Sequence, residues 1–350
     1  MPVGLQGHFL CRRSSCYAVS LNQQVQDGAM RSATKNACCQ SLHRVPCNSW
    51  DVEKIRKAKY LIYSTSLVLL SEKENGGVLV IEITFLGSGG GRFITITQFR
   101  STGGFFIRAS RNIYVDPGPG ALVRSWRYKL DPRRLDVIFV SHRHVDHCND
   151  AEIMIEAMTG GALKKRGVLI ASKSVVYGDD SYNPAVSRYH LDSLEEVHTP
   201  EPGNRLSLGE EELTITPSMH SDPTTIGFRM GTKFGDISYI PDTQYFDELK
   251  KWHEGSRLMI IAITRPRDMR IPYHLCTEDV VYMLKTMGQK PEAIVMNHIG
   301  MKMHFANPYK EARFIENVTG VKTFVAKEGF KVMLDKKEIA VKTLRPARFV

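Results

Sequence analysis

Long apolar runs are missing from this 350-residue chain. The best candidate, Tyr60 to Leu70, has eleven residues and is broken by Ser64, Thr65 and Ser66. A membrane-spanning helix needs ~20 apolar residues, so no membrane role is expected. Cysteine is scarce where a fold would use it. Cys11, Cys16, Cys38, Cys39 and Cys47 crowd the first fifty residues, and only Cys148 and Cys276 follow. No CxxC pair occurs, which excludes a disulfide framework and points to a reducing cytoplasm. Acid is nearly absent from the first fifty residues, where Asp27 stands alone among several arginines. That balance loosely resembles an organelle transit peptide, but without a continuous apolar segment it is not a secretory signal. The glycine run Gly87-Ser88-Gly89-Gly90-Gly91 lacks a following Lys-Ser/Thr pair and is therefore not a phosphate loop. No internal repeat is evident.

A hydrophobic content of 42% supports a real core. The net charge of +10 fits an anionic substrate or partner as well as it fits plain solubility. Residues 1–79 show no sustained period and read as an N-terminal extension that is poorly ordered or precedes the true start. Gly76-Gly77 could be encoded by a ribosome-binding sequence, with Val80 as a GTG start codon; mass spectrometry of the native N-terminus tests this. A single domain is expected over 80–350.

From Val78 the pattern is regular. Val78 to Leu86 reads as a strand, and Ile113 to Val115 as another, closed by Asp116-Pro117-Gly118. The spacing predicts a helix from Asn149 to about Met158, with Asn149 as N-cap and Gly160-Gly161 as the stop. Strands follow at 168–171, 206–208 and 213–216, then a hairpin pairing 225–230 with 236–240. Helix 246–253, strand 258–263, helix 278–287, strand 293–296, helix 308–317 and strands 321–325 and 330–334 complete the series. Strands with interspersed helices predict two sheets with helices outside.

The densest chemistry is Ser141-His142-Arg143-His144-Val145-Asp146-His147, which follows the apolar strand 135–140. Three imidazoles and a carboxylate in six residues at a strand end aim several donors at one small volume, which suits a divalent metal such as zinc. Other donors recur just past strands: His220, Asp242 and His298. A lone His or Asp there is usually a turn or cap residue. Repetition beside the first cluster overturns that plain reading, because successive strand ends converge on one edge of a layered fold. Cys148 reads as packing, turned away by the helix that begins beside it.

These motifs resemble the metallo-β-lactamase-fold hydrolase superfamily over about residues 80–335, an αββα sandwich of two mixed β-sheets flanked by helices with the metal site at one edge. The resemblance implies that His142, His144 and His220 hold one metal, that Asp146, His147 and His298 hold a second, and that Asp242 bridges them. Asp116 would orient ligands from behind. Two divalent ions about 3.5–4 Å apart would bring a shared water from pKa 15.7 toward ~7, giving a hydroxide nucleophile. Zinc is favoured by the histidines; manganese or iron fits the set nearly as well. Asp146 would also accept a hydrogen bond from the nucleophile.

Asp242 separates the chain from class B β-lactamases, which typically lack this aspartate. Phe85 to Gly91, Gly227-Phe228-Arg229 after His220, and His274 resemble the ribonuclease Z and cyclic-nucleotide phosphodiesterase side. His274 is a candidate general acid there, although His-Leu-Cys-Thr replaces the family's His-Ser-Thr; a structural His is the rival reading. Only 22 positions (242 − 220) separate His220 from Asp242, too few for a tRNA-clamping arm. Small phosphodiesters or related small esters are therefore expected, not structured RNA. Arg265, with Arg267 and Arg270 in the same loop, is the candidate phosphate clamp, against a plain solvated loop; Lys302 and His304 add charge nearby. Tyr182, Tyr189 and His190 are candidates for the pocket wall. The alternative function is a promiscuous lactonase or β-lactamase. A flavodiiron-like redox protein lacks support, since no flavodoxin-like segment follows 335, and a non-catalytic nucleic-acid binder would not keep seven ligands. A homodimer is left open.

Overall fold

The computed structural model describes residues 80–180 and 182–347. The N-terminal extension, 1–79, lies outside the described residues. Strands are named in chain order: β1 Ile81–Phe85, β2 Phe105–Arg108, β3 Asn112–Val115, β4 Val137–Val140, β5 Val168–Ala171 and β6 Glu196–His198. Then come β7 Arg205–Leu208, β8 Glu211–Pro217, β9 Ile226–Gly231, β10 Ile237–Ile240, β11 Leu258–Arg265 and β12 Leu275–Cys276. The last four are β13 Ala293–Asn297, β14 Lys322–Val325, β15 Phe330–Leu334 and β16 Ile339–Thr343.

They form two mixed sheets. One runs β16-β15-β1-β2-β3-β4-β5-β6, and the other β14-β13-β11-β10-β9-β8-β7 with β12 beside β11. Side-chain alternation explains why both sheets are buried on two faces. In β4, Val137 and Phe139 enter the core between the sheets, while Ile138 and Val140 face the helices. In β11, Leu258 and Ile260 point inward and Met259, Ile261 and Ile263 point to the opposite helix layer. Burying such a side chain contributes roughly 1.5–3 kcal/mol. The result is the expected four-layer αββα sandwich.

Several details differ from the sequence reading. The helix after the histidines is split: Val145–Cys148 makes one short turn, and Ala151–Thr159 is the longer helix, with Asp150 rather than Asn149 at its N-cap. The break arises because Asp150 is turned toward the 117–122 loop, where its carboxylate accepts from Gly120 N and its own N–H bonds Pro117 O. The helix expected over 246–253 starts only at Leu249. β16 adds an outer strand beyond β15. Strand β11 runs through Arg265, which was expected in a loop. Among the described residues, no helix is long and apolar enough to cross a membrane.

Away from the histidine cluster, His253 is buried with its Nδ1 3.0 Å from Ser238 Oγ, which also meets Ser256 Oγ at 2.7 Å. Burial, helped by the charge of Arg229, pushes its pKa down to about 3. An unfolded His titrates near 6.5, so between these values the unfolded chain binds the extra proton. Stability contributed by the neutral ring is therefore complete above pH 6.5 and drains away as pH falls toward 3. From pH 7 to pH 5 this one residue should cost about 2 kcal/mol. Urea midpoints of the native chain and of His253→Gln at the two pH values check it: the variant's acid loss should be smaller by that amount.

Candidate metal centre

The parallel strands β3 and β4 of one sheet end at the same edge as β10, β11 and β13 of the other. Asp116 follows β3, His142 follows β4, Asp242 follows β10 and His298 follows β13. The extended segment from Ser141 to His144 puts His142 and His144 two residues apart, and so on one side of the chain. The turn 145–148 then presents Asp146 and His147 as neighbours.

The side chains that the sequence singled out meet. One group is His142, His144, His220 and Asp242; the other is Asp146, His147 and His298. Within each, the candidate ligand atoms lie within 4.8 Å of one another. His144 Nδ1 is 3.0 Å from His142 Nε2 and 3.1 Å from His220 Nε2. A tetrahedral zinc with bonds of about 2.0–2.1 Å would space such nitrogens about 3.3 Å apart. Asp242 stands between the groups. Its Oδ2 is 3.9 Å from His142 Nε2 and 3.8 Å from His220 Nε2, and its Oδ1 is 3.2 Å from His298 Nε2.

Four of the five imidazoles are turned by a partner on the nitrogen away from the cluster. Ser141 Oγ sits 3.0 Å from His142 Nδ1, Tyr273 O 3.0 Å from His220 Nδ1, and Thr264 Oγ1 2.9 Å from His298 Nδ1. Asp116 Oδ2 lies 2.8 Å from His147 Nδ1 and accepts from Ser141 Oγ at 2.7 Å and Tyr239 OH at 2.5 Å; its Oδ1 accepts from Ser141 N at 2.7 Å. This is the ligand-orienting placement expected for Asp116. Asp116 and His298 both have positive φ, 51° and 53°. Such backbone strain concentrates at functional sites.

Electrostatics fit a cation. Asp116, Asp146 and Asp242 are all buried. Buried carboxylates need compensation, and no Lys or Arg is paired with these three among the described residues. Burial opposes the charge of Asp242, yet His298, His147 and His274 hold its carboxyl well below the usual range. Burial would lower His147 too, but Asp146 and Asp116 raise it well above an ordinary His. Burial lowers His142 and His144, and it takes His220 down to about 4, leaving lone pairs free. His147 Nε2 and Asp242 Oδ1 are buried without a hydrogen-bond partner. Orphaned atoms converging between two groups of donors are what a bound metal would satisfy. The cluster can therefore hold metal.

His274 reaches the cluster, with Nε2 3.4 Å from Asp242 Oδ2, and lines a cleft of about 850 Å³. Arg265 does not line this cleft. It closes β11 beside a register irregularity, opposite Cys276 of β12, and it is Arg270 that borders His274. Arg267 is tied to Glu311, and His304 stacks on Phe99 at 5.8 Å. Tyr182 lies under the Arg143 guanidinium, and His190 binds Glu152 and Glu156, so neither lines the cleft. Cys148 is buried, donates to Arg143 O at 3.1 Å, and has its thiol pushed up to about 12 by burial, as packing requires.

Several supports were missed in the sequence. Tyr239 sits three residues before Asp242 on a buried strand, where a lone Tyr looks like core. Asp222 accepts from Arg143 N at 3.2 Å and so pins the link between His142 and His144. Its Asp-Pro-Thr-Thr context signalled only a turn.

Comparison with known proteins agrees with this geometry. The family described as beta-lactamase superfamily domain matches residues 111–299. An uncharacterized protein of Methanocaldococcus jannaschii is 45% identical over 255 residues, 73% of this chain and 95% of that protein. The metallo-beta-lactamase fold protein YhfI of Bacillus subtilis superposes with a TM-score of 0.60 at 19% identity, covering 73% of this chain and all of that one (100%). A diphosphatase from the PhnP family superposes with a TM-score of 0.54 at 15% identity, over 76% and 99% of the two chains. With two sheets, a strand-edge His/Asp cluster and a family match that spans the cluster from Asp116 to His298, the chain belongs to the beta-lactamase superfamily and has the metallo-β-lactamase fold.

Proposed function

We propose that this hydrolase cleaves phosphodiesters or related small esters with two divalent ions, zinc above all, held by His142, His144 and His220 and by Asp146, His147 and His298. Asp242 is shared by both sets. The observation that carries this reading is Asp242 itself, buried and facing imidazoles of both groups. Ions so placed would supply a water activated to attack at neutral pH and would neutralise charge on the attacked centre. Asp146 has a second role beside ligation. Gly91 N donates to its Oδ2 at 2.7 Å, fixing a carboxylate that can accept a proton-bearing group beside the reaction.

His274 serves as proton donor to the leaving alkoxide. Burial works against its protonation, but contact with Asp242 raises its pKa above the ordinary value, the direction a proton donor needs. His274→Ala should lower turnover by about 10²-fold or more and leave metal content unchanged. Metal analysis beside steady-state rates decides; a variant that also sheds metal ends the proton-donor role.

Only β9, β10 and their short connections occupy the interval from His220 to Asp242. This supports a small anionic or ester substrate over structured RNA. The two described cysteines are free and buried, in keeping with a cytoplasmic setting. Turnover of bis(p-nitrophenyl) phosphate, nitrocefin and a homoserine lactone by the metal-loaded chain tests the reaction class. The diester should be the best of the three. Preferred cleavage of nitrocefin or the lactone would replace this reading with the lactonase or β-lactamase one.

A further inference from the structure

The cleft beyond His274 is large for a simple ester. Its volume of about 850 Å³ is in the range of sites that enclose a whole cofactor-sized ligand. Its walls are specific. Tyr245 and Tyr282 pack edge to face at 5.4 Å and 88°, and Tyr282 is 52% exposed. Ile271 and Pro272 add apolar surface. Arg270 projects from the loop before β12 with 68% of its side chain exposed, yet its Nη2 is 2.5 Å from Oδ1 of buried Asp279. Asp279 and Cys276 thus fix the guanidinium at one corner of the opening, while most of the side chain stays exposed to it. Gln244 Oε1 accepts from Tyr273 N at 3.2 Å, which leaves its amide nitrogen as the free donor.

Charge selects among ligands. Arg270 is balanced by Asp279, and Glu278 adds a carboxylate to the lining. A second phosphate would meet no net positive field. A neutral planar ring with acceptor atoms meets aromatic faces, a guanidinium fork and an amide donor. Guanidinium groups pair with ring nitrogen and carbonyl acceptors of bases, and tyrosines stack on any base. We propose that this cleft, lined by Gln244, Tyr245, Arg270 and Tyr282, is a nucleoside subsite that holds the base while the attached phosphate lies at the histidine–aspartate cluster. This rests on the phosphodiester reading above and narrows it to nucleotide esters.

Calorimetric titration of the zinc-loaded full chain with adenosine and guanosine 5′-monophosphates, ribose 5-phosphate and inorganic phosphate tests it. A nucleotide should bind about 10-fold tighter than ribose 5-phosphate, the size of one stacked base. Tyr282→Ala should close that gap, and Arg270→Gln should narrow it, with zinc content unchanged in both. Equal affinities for nucleotides and ribose 5-phosphate, or a gap that survives Tyr282→Ala, overturn the subsite. The rate on bis(p-nitrophenyl) phosphate, taken in parallel, separates the two ideas. Nucleotide preference without diester cleavage sinks the hydrolytic reading and keeps the subsite. Diester cleavage without nucleotide preference does the reverse.

Discussion

His144→Ala is expected to leave a folded protein that holds less metal and has no measurable esterase activity. His144 Nδ1 is the nitrogen nearest to both His142 and His220, at 3.0 and 3.1 Å. Removing it opens a three-imidazole corner that two nitrogens and one shared carboxylate oxygen cannot close in tetrahedral geometry. The ring is only partly buried, and the backbone on either side is held independently: Asp222 accepts from Arg143 N, and Cys148 N bonds His144 O. Global stability without metal should therefore change by less than ~1 kcal/mol, the range of a surface substitution. Elemental analysis, thermal melts of the chelated protein and rates on the diester check the three parts. Full metal occupancy in this variant would remove the ligand assignment and the reaction built on it.

Gly90→Ala is expected to be nearly as damaging, although it adds one methyl group and touches no chemistry. A Cβ at position 90 would fall 2.0 Å from His298 Cδ2 and 2.1 Å from His298 Nε2. The imidazole has no easy retreat: its Nδ1 is held by Thr264 Oγ1, and its backbone is in the left-handed region. Either the ring swings off Asp146 and Asp242 or the glycine loop lifts away and takes Gly91 N from Asp146. Both outcomes loosen the Asp146, His147 and His298 group. We expect the loss of about one metal equivalent per chain and a fall in turnover of ~10²-fold, the upper end of what disturbed ligand support costs. A variant with native metal content and rate would show that the loop yields and that the close approach is incidental.

The donors were legible because each follows a strand whose apolar run is visible in the chain, and strand ends in a sandwich share an edge. Hence His142, His220, Asp242 and His298 could be placed together before any geometry was known. The short strand β2, Phe105–Arg108, was not marked, since Phe-Phe-Ile lies between a Gly pair and a polar turn and has no period long enough to read. The N-cap at residue 149 failed for a different reason: tertiary bonds from the 117–122 loop capture Asp150 and override the local signal. Arg265 lies in strand rather than loop because pairing with β12 carries β11 two residues past the apolar run that ends at Ile263, and a polar strand end has no signal of its own. Arg270 was in view as charge, but nothing in sequence tells that Asp279 would hold it beside His274. Tyr239 and Thr264 look like ordinary core until the sheets are brought face to face.

Asp116 has a consequence for how the molecule comes together. It stands at the end of β3 in one sheet and takes a hydrogen bond from Tyr239 on β10 in the other, while also gripping Ser141 and His147. A single acidic side chain is thus a rivet through the sandwich. Neither half holds the whole donor set: His142, His144, Asp146 and His147 follow β4 of one sheet, whereas His220, Asp242 and His298 follow strands of the other, so the complete centre needs both layers in register.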